Sequence, residues 1–181
     1  MMRFIPSVIF LLCCFFQSGQ AAYSVALRSA AFFPMDSRFT HIYGDVNASY
    51  QVEVAKRFCN CYQFWLNVDE FYRSGKLSQC GRSKLNILTL SLGPKYVFPF
   101  SDSIDLYIGA GLAVAWARVH NCDVNREYNT SVGLALKSGA NIFICNQLFL
   151  DLFFDYNYQP AFHNRTDIGG IKLGIGVGYE F

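Results

Sequence analysis

From Gly169 to the carboxyl terminus the chain alternates without a break. Gly169, Ile171, Leu173, Ile175, Val177, Tyr179 and Phe181 share one parity; Gly170, Lys172, Gly174, Gly176, Gly178 and Glu180 share the other. A period of two marks a β-strand, whose successive side chains point to opposite faces. One face is apolar, and the other carries small residues and two opposite charges. The small and charged face suits the crowded inside of a closed barrel, so the apolar face is expected to meet lipid.

The same alternation recurs in segments beginning at Tyr23, Tyr50, Tyr62, Leu88, Leu106, Val132 and Leu148. With the final segment this predicts an all-β chain, an eight-stranded antiparallel transmembrane β-barrel. An even strand count closes the sheet and leaves no edge for lipid to leave unsatisfied. Long polar connections are expected at 34–47, 70–84, 118–130 and 159–167, and short ones near 56–60, 99–103 and 143–147. Short periplasmic turns and long external loops are the expected asymmetry, which puts both termini on the periplasmic side. Tyr and Phe residues gather near the strand ends, as interfacial girdles require.

Composition fits a membrane protein without spanning helices. The 181 residues are 52% hydrophobic and 15% charged, against about 25% charged in soluble domains. The one long apolar run, Phe4 to Phe16, follows a short basic start and precedes small residues up to Ala22. It is too short for a spanning helix of about 20 residues and reads as a secretory signal peptide over 1–21, leaving the barrel at 22–181. Formal net charge is +2, with no basic stripe, so no nucleic-acid partner is expected.

The stretches LRSAAFFPMDSRF (27–39), IYG (42–44), LSLGPKYVFP (90–99), YIGAGL (107–112), LFLDLFFDY (148–156) and the alternating end resemble the small outer-membrane β-barrels of the OmpA/OmpX/OmpW-like group. The resemblance covers nearly all of the chain after residue 21. It implies a bacterial outer-membrane address, surrounding lipid, and delivery by the barrel-assembly machinery, for which Tyr179 and the terminal Phe181 form the signal. It implies no single activity, because function is not carried by fold.

Parity places eight charges inside: Arg28, Glu53, Lys95, Lys137, Asp151, Asp155, Lys172 and Glu180. An eight-stranded barrel has a lumen that side chains fill, and buried charges must pair. The expected result is a balanced polar plug. His41, His120 and His163 fall in predicted external loops without a catalytic or metal-binding pattern, so no enzyme activity, metal or cofactor is expected. Cys59, Cys61, Cys80, Cys122 and Cys145 remain beyond the signal segment. Exported cysteines meet an oxidising compartment. Cys80 and Cys122 fall in adjacent external loops and are placed to bridge, and the odd total leaves a thiol for another chain. Cysteines are unusual in barrels of this group. They point to disulfide links with envelope proteins in a bacterium with a cysteine-rich envelope, such as the chlamydial group.

The leading functional expectation is therefore a non-enzymatic barrel with a structural or surface-interaction role through four external loops. The alternatives are a narrow channel for small or hydrophobic solutes and a soluble secreted lipocalin-like carrier, which would turn its apolar face inward.

Overall fold

The computed structural model describes residues 22–59, 61–77, 81–120, 127–160 and 167–181. The proposed signal segment, Cys80, Cys122 and His163 lie outside the described residues, as do the side chains of Cys59 and His120.

Eight strands follow in chain order: β1 (Tyr23–Pro34), β2 (Asn47–Cys59), β3 (Tyr62–Leu77), β4 (Gly81–Ser101), β5 (Ile104–His120), β6 (Glu127–Phe143), β7 (Leu148–Tyr158) and β8 (Gly170–Glu180). Each pairs antiparallel with its neighbours, and β8 returns to β1, closing the barrel. The ladder satisfies the backbone polar groups within the sheet, the condition for crossing hydrocarbon.

Burial follows the sequence parity. Along β7, exposed Leu148, Leu150, Leu152 and Phe154 alternate with buried Phe149, Asp151, Phe153 and Asp155. Leu27 and Ile175, fully apolar, are 65% and 66% exposed. A wall of exposed Leu, Ile and Val around a charged interior is the arrangement of a membrane barrel, and monomeric soluble proteins rarely leave so large a patch uncovered. The lipocalin-like reading fails here, because the apolar side chains point outward.

The β3–β4 and β5–β6 connections are shorter than the sequence pattern indicates. The β3–β4 ladder continues through Tyr72↔Asn86 to Leu77↔Gly81, and β5 pairs β6 as far as Val119↔Glu127. Above the membrane both strand faces are wet, so the apolar alternation ends while backbone pairing does not. Polar residues at 73–76 and 82–84 therefore read as loop but form strand.

The β1–β2 connection holds a helix that the pattern does not announce, α1 (Ser37–Tyr43). Asp36 caps it: its Oδ1 accepts from Phe39 N at 3.4 Å and its backbone oxygen from Thr40 N at 3.0 Å. Gly44, at φ 91°, ends it in the left-handed conformation that glycine tolerates. The helix drives Phe39 into the barrel mouth, where it meets Phe32 and Phe71 at ring distances of 6.3 and 6.0 Å.

Candidate functional site in the barrel lumen

Three layers fill the lumen. At the external end Phe32, Phe39, Phe71, Leu85 and Ile87 form a buried apolar cap. Below it the Lys172 ammonium pairs with the Asp69 carboxylate. The barrel centre holds the main network. Arg28 Nη1 lies 2.9 Å from Glu53 Oε2 and 3.2 Å from Asp155 Oδ2, and its Nε lies 2.7 Å from Asp151 Oδ2. Its Nη2 donates to Tyr107 Oη at 2.7 Å, and that hydroxyl donates onward to Asp151 Oδ1 at 2.7 Å.

Glu53 is the hub. Lys95 Nζ reaches its Oε1 at 2.5 Å and Lys137 Nζ its Oε2 at 2.6 Å, while Lys137 also meets Asp155 at 3.3 Å. Arg28, Lys95 and Lys137 thus face Glu53, Asp151 and Asp155, and all six are buried. Equal numbers of each sign make the layer neutral as a unit, which is the condition for tolerating so many desolvated charges.

Arg28, Lys95, Lys137 and Lys172 each also lie over an aromatic ring, and each of those rings lies over a glycine. Arg28 sits 3.7 Å from the Phe153 centroid, Lys95 4.3 Å from Tyr107, Lys137 4.8 Å from Trp65 and Lys172 5.4 Å from Phe32. A Cβ at the glycine beneath would collide. It would come 2.5 Å from Phe153 at Gly174, 2.6 Å from Tyr107 Oη at Gly139, 2.8 Å from Trp65 at Gly111 and 2.9 Å from Phe32 at Gly170, and closer still, at 2.1–2.3 Å, to a carbonyl oxygen of an adjacent strand. The glycines that alternate with apolar residues along β5, β6 and β8 therefore supply room for rings on the facing strands, and the rings supply a π-face to the cations. The stack runs glycine, aromatic, cation, carboxylate.

Gly178 gives a direct test of this packing, because the three atoms nearest its Cβ would all belong to the Phe149 ring, the first at 2.1 Å. Gly178→Ala is expected to cost about 1–3 kcal/mol by overpacking. Adding Phe149→Ala should cost clearly less than the sum of the two single changes, a coupling of at least about 0.5 kcal/mol. Urea unfolding of the barrel in lipid vesicles measures both.

The six charges fill the centre of the lumen, and Lys95 and Lys137 also border an apolar depression of about 630 Å³ with Tyr62, Tyr96 and Ile108. Among the described residues no group of His, Cys, Asp and Glu is placed to hold a metal ion. At the periplasmic end a polar bowl of about 660 Å³ is bordered by Arg57, Asp105 and Glu180. Arg57 Nη2 lies 2.9 Å from Asp105 and 3.8 Å from Glu180.

A family model for the outer membrane protein beta-barrel domain matches residues 45–181. The chain belongs to that family. Membership places it in the bacterial outer membrane. Solved barrels agree in fold. Neisserial surface protein A superposes with a TM-score of 0.71 at 19% identity, over 89% of this chain and 99% of that one. OprG from Pseudomonas aeruginosa gives 0.72 at 15%, over 89% and 96%. Ail, the attachment invasion locus protein of Yersinia pestis, gives 0.63 at 13%, over 89% and 99%. No curated protein sequence matches the chain.

Within this family barrel the eight charges singled out by parity divide into three places. Arg28, Glu53, Lys95, Lys137, Asp151 and Asp155 meet at the centre; Lys172 stands one layer higher; Glu180 stands at the periplasmic rim. Asp69, Tyr107, Arg57 and Asp105 join the lumen contacts without standing out in the sequence. Asp69 and Tyr107 lie on the inward parity, but Asp69 borders a stretch that reads as loop and Tyr107 carries no charge. Arg57 and Asp105 fall at strand ends beside turns. Cys61 and Cys145 are free thiols, half-buried and exposed. They occupy the β2–β3 and β6–β7 turns, half the barrel apart in strand order, so a bridge between them is out of reach. The predicted Cys80–Cys122 bridge lies outside the described residues. His41 is exposed on α1.

Proposed function

We propose that the protein is a non-enzymatic, non-conducting barrel whose role, structural or in surface interaction, is exercised at its external surface. The observation that carries this reading is the filled lumen: an apolar cap, a buried ion pair and a six-charge layer stand in series between the two ends. What remains available is the outside, namely α1 and the extended β3–β4 and β5–β6 hairpins, with Arg73, Lys84 and Arg118 exposed near their bases. Delivery would use Tyr179 and Phe181, whose rings stack edge-on at 5.0 Å on the lipid side. The exposed Cys145 thiol at the periplasmic rim is suited to disulfide linkage with an envelope partner.

One structural relative, Ail of Yersinia pestis, was solved with the heparin analogue sucrose octasulfate. A sulfated polyanion is the surface chemistry that exposed basic side chains favour. Heparin is therefore the probe. The folded wild type is expected to bind immobilised heparin, releasing as salt rises past the screening range. Lys84→Gln with Arg118→Gln should weaken binding about tenfold, the loss of one or two charge-assisted contacts. Equal binding by wild type and variant overturns recognition through these side chains. A narrow path for small solutes is the second reading, and the cap and charge layer weigh against it.

A further inference from the structure

The lipid-facing wall is not uniformly knobbed. Where β8, β1 and β2 lie side by side, register places Ala31 between Leu173 and Ala48, and Ser29 between Ile175 and Tyr50. Three short side chains, Ser29, Ala31 and Ala48, thus make a floor beside the tall, exposed Leu173 and Ile175. The result is a trough of about 450 Å³ in the outer wall. It is an open furrow on the barrel wall, not an enclosed cleft.

The trough has one charged border. Arg73, on β3 above the apolar cap, lines it at the external end, and its side chain is exposed. Among the described residues no carboxylate lies in the lining and no ion pair engages Arg73. An exposed guanidinium at the water-facing end of an apolar furrow matches one kind of molecule, an amphiphile with an anionic head. The furrow lies in the membrane belt and the cation stands on the side of the long hairpins. Tyr72, the neighbour of Arg73, is exposed as a girdle residue would be.

We propose that this trough and Arg73 form a binding site for an outer-leaflet lipid, which lays an acyl chain over Ser29, Ala31 and Ala48 and sets a phosphate against the Arg73 guanidinium. The fork of N–H donors suits a phosphate better than a point charge does. The site rests on the barrel's place in the outer membrane and is independent of whether the hairpins bind heparin.

The test is native mass spectrometry of the detergent-folded barrel with bisphosphorylated lipid A and with its dephosphorylated form. The wild type is expected to retain the phosphorylated lipid preferentially. Arg73→Gln should lower that retention about tenfold and leave the dephosphorylated form unaffected, whereas Arg73→Lys keeps part of it. Ala31→Trp, which fills the furrow, should lower retention of both lipids. Heat-modifiable gel mobility checks that each variant is folded. A wild type without preference for the phosphorylated lipid overturns the proposal, as does an Arg73→Gln barrel that keeps the preference. Ala31→Trp retention equal to the wild type overturns the acyl seat.

Discussion

Glu53→Leu is expected to lower the unfolding free energy of the barrel by about 3–5 kcal/mol, the cost of removing one partner from a buried ion cluster. Glu53 is where Arg28, Lys95 and Lys137 converge. Without it Arg28 keeps Asp151 and Asp155, and Lys137 keeps Asp155. Lys95 has no other ion-pair partner among the described residues. The change therefore strands one ammonium at a buried position and leaves the layer with an excess positive charge. The double variant Glu53→Leu, Lys95→Met removes one charge of each sign and should be more stable than Glu53→Leu alone. Urea titration in lipid vesicles, followed by tryptophan fluorescence, gives both numbers. A loss below about 1 kcal/mol for the single variant would mean that water reaches these charges and that the pair is screened as at a surface.

Trp65→Ala is expected to cost a similar amount, about 3–5 kcal/mol, from lost burial and the cavity left behind. Trp65 is 0% exposed. Its indole lies against Gly109 and Gly111 of β5, carries Lys137 above its ring, and donates Nε1–H to the Pro94 carbonyl at 3.4 Å. Pro94 has no N–H to give to β5, and the β4–β5 ladder passes from Leu92 to Lys95 without it. Trp65 thus packs behind the weakest point of that seam. Trp65→Phe keeps a ring on the glycines and loses chiefly the long hydrogen bond, so its cost should be well below that of the alanine variant. Equal losses for the two would show that the ring does not hold the seam.

The strands were legible because lipid imposes one rule on every outward position. Leu27, Ile108, Leu134 and Ile175 obey it on four different strands, and their neighbours are free to be glycine or charge. The rule lapses above the membrane. For that reason Arg73 to Leu77 look like loop while forming a ladder with Gly81 to Leu85. A seven-residue helix is too short to show a period. α1 rests instead on its Asp36 cap, its Gly44 stop and the insertion of Phe39, which only the closed barrel below makes favourable.

The inward charges were legible as a set and not as pairs. Which of them meet depends on the stagger between strands, and stagger is fixed by closure, not by any local pattern. Arg28 finds Asp155 across 127 positions of sequence, and Lys172 finds Asp69 instead of any member of the central layer. The glycines carried a second message: Gly111, Gly139 and Gly174 mark where Trp65, Tyr107 and Phe153 on other strands must lie.

The most direct test is single-channel recording of the purified wild-type barrel in a planar bilayer. With Phe39 in the mouth, Lys172 on Asp69 and three cations locked to three carboxylates at the centre, the recording is expected to stay at baseline without discrete openings. Regular, voltage-reproducible openings from folded wild-type protein would show a continuous aqueous path and contradict the filled lumen.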